Sequence, residues 1–184
     1  MGIKWDDIEF NKTPIDAREK YKSEGGWWST LDIINYLIQK NISIEVIQLS
    51  TMDNLKTVLD YGDIAILCID MYYISYNPNP KLHTDAFSYY REIGSGHFIV
   101  IKGYMIVDGK LWFEAYDPAS LGRTYSEGTP LGKNRYYSIE NLDDATNNWW
   151  DYATVISKKN EKSISKYSAL ETVDPDEIEH MTGM

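Results

Sequence analysis

The chain has a single cysteine, Cys68, in 184 residues, so no disulfide can form within it. Three scattered histidines and one cysteine also lack the spacing of a structural zinc site, and neither a metal nor another cofactor is expected. Apolar runs are short. The longest, residues 64–69, falls far below the roughly 20 residues a helix needs to span a bilayer, so no membrane span is expected. The N-terminal MGIKWDDIEF has no apolar stretch of the kind a secretory signal requires, which reads as a cytoplasmic or virion-associated protein. Basic residues are scarce, 18 Lys and Arg against 28 Asp and Glu, for a net charge of −10. Without a basic stripe to displace counterions, nucleic acid is excluded as a partner.

What remains is ordinary globular material. Apolar residues make up 43% and charged residues 25%, enough for one domain with a core. Thr13-Pro14-Ile15-Asp16 and Gly25-Gly26 bracket a helix over residues 14–24, and Ser29-Thr30 open a second that ends near Asn41. Leu31, Ile34 and Ile38 mark its buried stripe. Residues 42–49 mix alternation with β-branching and read as a strand. Ser50-Thr51 start a third helix with Leu55, Val58 and Leu59 inward and Gly62 as its stop. The apolar DIAILCIDMYYI is a buried strand. Residues 75–96 form a long excursion with a short helix over 85–91. A hairpin, a Gly-rich loop to Arg135, a short helix from Ser138 and a strand over 151–157 follow. Residues 158–184 then alternate lysine-rich and acid-rich runs and read as a charged polar tail with little to bury.

The hairpin, in SGHFIVIKGYMIVDGKLWFEAYDPAS, sets His97 before its first strand and Asp117 after its second. Strand periodicity tests whether they can meet. A two-residue Asp108-Gly109 turn would set Val100 opposite Asp117 and send His97 to the other face of the sheet. A three-residue loop, Val107-Asp108-Gly109, would set Ile99 opposite Asp117 and bring His97 to its diagonal. The same register places Lys102 opposite Glu114, so two residue pairs favour the three-residue loop.

The order helix, strand, helix, apolar strand, long loop, GHFIVIKGY, hairpin, YDPAS, short helix, WWDYATVI resembles the papain-like cysteine peptidases, in the branch that includes double-glycine leader peptidases. The resemblance covers roughly residues 30–157. It implies an α+β, papain-like fold, an antiparallel sheet with packed helices, over residues 1–157, with 1–28 an atypical N-terminal extension. It also implies a catalytic role for His97, as the base, and for Asp117, as the acid that orients it. A thiolate nucleophile at a helix N-terminus is the third part the chemistry needs, and none is found there. In GGWWSTLDIINYL, Gly25 or Trp27 would hold its place; otherwise the cysteine-bearing segment precedes Met1. Cys68, inside a strand, reads as a buried inert thiol, and Ser29 as an N-cap. Trp27, Trp28, Ser29 and Gly96 are the residues expected to line the cleft, with a tryptophan as its plug.

Four functions are compatible with these features. The chain is a non-catalytic peptide- or protein-binding module that keeps a vestigial His–Asp pair, or an active cysteine peptidase whose nucleophile lies outside this sequence. It is otherwise a structural component of a phage particle or other large assembly contacted through residues 158–184, or a glycan binder that uses its aromatic doublets.

Overall fold

The computed structural model describes residues 28–75, 77–84, 93–94, 96–118, 123–157, 167 and 170–174. The expected helices over 14–24 and 85–91, and Trp27, lie outside them. Among the described residues there are three α-helices and seven strands: α1 (Thr30–Gln39), β1 (Ile44–Gln48), α2 (Met52–Asp60), β2 (Ile64–Asp70), β3 (Gly96–Val107), β4 (Lys110–Tyr116), β5 (Arg135–Ser138), α3 (Ile139–Asn147), β6 (Tyr152–Ile156) and β7 (Thr172–Val173). The strand expected to run on through MYYI stops at Asp70, whose carboxylate caps a 3-10 turn over Met71–Tyr73. The strands form one sheet in the order β5-β4-β3-β2-β6-β1-β7. Every pairing is antiparallel, as the α+β reading expects.

Helices cover the sheet on both faces, which is why the central β2 is apolar at successive positions instead of alternating. On one face Ile34 of α1 packs with Val46, and Leu37 with Ile64 and Ile156. On the other, Leu55 and Val58 of α2 and Leu142 and Ala145 of α3 close over Ile47, Leu67, Ile69, Ile99, Ile101, Phe113 and Val155, the main core. Helix α1 starts with a reciprocal capping box: the Ser29 hydroxyl accepts from the Asp32 N–H, and the Asp32 carboxylate accepts from the Ser29 N–H at 2.7 Å. Helix α2 stops at Gly62, φ +79°, and α3 is capped by Ser138. No helix among the described residues is long and apolar enough to cross a membrane.

The hairpin corrects the expected turn and keeps the expected register at its base. The connection is the two-residue Asp108-Gly109 turn, both residues at positive φ (53° and 77°), with Val107 paired to Lys110. This pairing holds from the tip to Gly103 and Glu114. Lys102 is then an extra residue on β3, a β-bulge, and beyond it Ile101 faces Ala115 and Val100 faces Tyr116. That is the expected register, in which Ile99 would be next in line with Asp117, just past the end of β4. The primed turn suits the twist of the strands, so the extra residue sits in the bulge and not in the loop. There the Lys102 ammonium lies 3.1 Å from Glu114 and 4.5 Å from the Tyr116 ring centroid.

The segment read as a polar tail adds packing. Tyr167 is buried in the main core and its hydroxyl donates to the buried Asp63 at 2.5 Å. Thr172 and Val173 pair with the edge of β1.

Candidate functional site

The site is built from three adjacent strands. Cross-strand partners in an antiparallel sheet share a face, so the pairing of Ile69 with His97 puts the imidazole on the α2/α3 face. Asp117 follows Ala115 by two residues and points the same way. Arg135, opposite Ala115, and Tyr137, opposite Phe113, complete the row from β5. Four polar side chains thus converge on a face that is otherwise apolar.

Asp117 is their centre. It is fully buried, and its Oδ1 lies 2.8 Å from His97 Nε2. Its Oδ2 accepts from the Tyr137 hydroxyl at 2.5 Å and from the Arg135 guanidinium, whose side chain is 1% exposed. Burial acts most strongly on this carboxyl and favours its neutral form. The hydrogen bond and charge of His97, the charge of Arg135 and the Tyr137 hydroxyl together outweigh burial and hold Asp117 well below the usual carboxylate range. Burial first, then the Asp117 charge, pushes Tyr137 well above the usual phenol range, so it remains a donor. An ionised carboxylate only accepts, so the hydrogen on His97 is assigned to Nε2, and proton exchange with any reactant falls to Nδ1. The His97 side chain is 11% exposed, at the margin of the core.

The backbone fixes Asp117 as well. Its N–H donates to the Gly132 carbonyl at 2.9 Å. Gly132 has φ +88°, and a Cβ there would collide with the Asp117 carbonyl oxygen, so only glycine lets this turn approach the segment after β4.

The other sequence-predicted residues lie elsewhere. Cys68 pairs with Phe98, on the face opposite His97. Its sulfur accepts from the Trp149 indole N–H at 3.2 Å, and burial pushes the thiol up to about 11, against the lowering influence of hydrogen bonds with Trp149 and Thr30. Ser29 donates its hydroxyl to Asp32 at 2.7 Å and begins a helix packed on that same opposite face. The Trp28 ring rests 5.4 Å from Tyr36 of α1. At Gly96 an added Cβ would meet the Trp149 indole at 3.0 Å. Trp28 and Ser29 therefore do not gather around His97; Gly96 adjoins it at the start of β3, and the aromatic ring set against the Gly96 backbone is Trp149.

Arg135 and Tyr137 escaped the sequence reading, which ran a loop up to Arg135. Their alternation, Arg-Tyr-Tyr, is the signal that was available. Among the described residues no three His, Cys, Asp or Glu side chains are grouped to hold a metal ion. Chemically, the arrangement can orient an imidazole and fix its tautomer; Cys68 and Ser29, the two nucleophile candidates the sequence raised, lie on the opposite face of the sheet. Comparison with protein-family models, with curated proteins and with solved structures gave no match to this chain.

Proposed function

We propose that this chain is a papain-like, cysteine-peptidase-fold protein that keeps the His97–Asp117 half of a catalytic machinery without the nucleophile, and that it binds a peptide or protein segment. The observation that carries the reading is the hydrogen bond between His97 Nε2 and a buried, ionised Asp117, set at the expected hairpin register. Such an acid on the far nitrogen is what a catalytic imidazole needs for its tautomer. The chain's one thiol lies on the other face and stays protonated at neutral pH. The test is turnover of a fluorogenic peptide library and of activated esters, with a thiol-directed covalent probe in parallel. No hydrolysis and no labelling of the native chain are expected. Turnover abolished by Cys68→Ala or by Ser29→Ala would overturn the reading.

One feature favours a second reading. Burying Asp117 and Arg135 is costly, and a merely structural turn does not need it. A nucleophile supplied by a further segment or another chain would make His97 a working base. Turnover that appears only on adding a cysteine-bearing helical peptide, and disappears in His97→Ala, would establish it.

A further inference from the structure

Three of the seven large apolar side chains exposed among the described residues cluster at the end of the sheet that carries His97: Tyr72, Ile93 and Trp149, at 46%, 67% and 45% exposure. The buried Asp70 ties their backbones together, accepting from the Tyr72 N–H at 2.9 Å and the Gly94 N–H at 2.8 Å. The Trp149 ring lies against Gly94 and Gly96, the residues leading into His97. Exposed apolar side chains gathered at one end of a sheet mark a contact site more often than isolated ones do.

The charge beside the patch selects the partner. Helix α3 runs into Trp149, and its last turn contains Asp144 and no basic residue. Asp143 and Asp144 therefore sit toward the negative end of the helix dipole, where cations are favoured, in a chain of net charge −10. We infer that the patch formed by Tyr72, Ile93 and Trp149, with Asp144 at its rim, docks an extended peptide carrying both large apolar and basic side chains. The apolar groups cover Ile93 and Tyr72, and a guanidinium or ammonium is shared between the face of Trp149 and the Asp144 carboxylate. The inference rests on the peptide-binding reading and specifies its partner: the patch lies at the strand end that carries His97, with Trp149 on the Cys68 face of the sheet.

The test is fluorescence anisotropy with a short fluorescein-labelled peptide of alternating leucine and arginine, against a leucine–glutamate control. The wild-type chain should bind the first and not the second. Ile93→Ser and Asp144→Lys, both at exposed positions that leave the core intact, should each weaken binding roughly tenfold. Equal binding by both variants and the wild type would overturn the inference and assign the attraction to diffuse net charge. Failure of the wild type to bind, or equal binding of the glutamate control, would overturn it too. A His97→Ala arm separates the two proposals. Binding lost in the patch variants and kept in His97→Ala supports the patch as a site separate from the His97 face. Loss in His97→Ala alone retains the His97 cleft and overturns the patch.

Discussion

Asp117→Asn keeps the shape of the side chain and removes the charge on which His97, Arg135 and Tyr137 converge. Arg135 is 1% exposed and cannot turn to water, so the variant leaves a buried guanidinium facing an amide. Removing one partner of a buried ion pair costs about 3–5 kcal/mol, a large part of the about 5–15 kcal/mol that holds a domain folded. At about 2–4 °C per kcal/mol for a chain of this size, the melting temperature should fall by about 6–20 °C. Guanidinium titration and thermal melts followed by circular dichroism measure both quantities. Pairing Asp117→Asn with Arg135→Met should recover most of the loss, because the double variant buries no charge. The dependence on acidity has a definite sign. The folded-state pKa of Asp117 lies below its unfolded value of about 3.9, so its contribution is complete above that value and is lost as pH falls through the lower folded value. The gap between wild type and Asp117→Asn should be flat above about pH 5 and close below about pH 4. A loss under about 1 kcal/mol, or a double variant worse than either single one, would refute the view of Asp117 and Arg135 as an obligate pair.

Several weaker perturbations test other parts of the structure. His97→Ala removes one charge-assisted hydrogen bond at the margin of the core and should cost about 1.5–3 kcal/mol, less than Asp117→Asn, by the same melts. Gly132→Ala should cost about 1–3 kcal/mol from its left-handed backbone alone and more from the collision with Asp117, and should shift the His97 ring resonances in NMR spectra. The Cys68 thiol, raised to about 11 by burial, should resist a disulfide reagent at pH 8 in the native chain and react at once in denaturant. Tyr167→Phe removes the hydrogen bond to Asp63 and should cost about 1.5–3 kcal/mol, whereas a merely solvated tail would show no change in the melt.

The sequence announces the elements that bury a stripe. Helices α1, α2 and α3, and strands β1, β2, β3, β4 and β6, all have either caps or enough apolar positions to show a period, and they lie where those signals place them. Strands β5 and β7 are four and two residues long, too short for alternation to stand out. Half of the candidate site was legible for the same reason. His97 and Asp117 flank a strong hairpin, but Arg135 and Tyr137 lie 18 and 20 residues beyond Asp117, across a loop whose return no local pattern fixes. The hairpin turn shows a subtler limit. Lys102 reaches Glu114 whether the extra residue lies in the loop or in the strand, so that pair could not distinguish the two. Tyr167 was hidden by its neighbours: a single ring among charged residues buries itself without any periodicity.

The Lys102 bulge works as a phase shifter between two halves of one hairpin. On the site side the odd-numbered residues Ile99 and Ile101 are buried in the main core with His97 beside them; on the tip side the even-numbered Tyr104 packs on Phe113 and donates to Asp60 at 2.6 Å. Each half therefore keeps its own inward set, and the change of parity is absorbed at one residue. The tip can then be edited independently of the base: adding or removing matched residue pairs beyond Gly103 and Glu114 changes the length of the hairpin and leaves Val100 opposite Tyr116 and His97 bonded to Asp117. This gives the protein a point at which a longer arm, a tag or a second recognition element can be grafted without re-aiming His97.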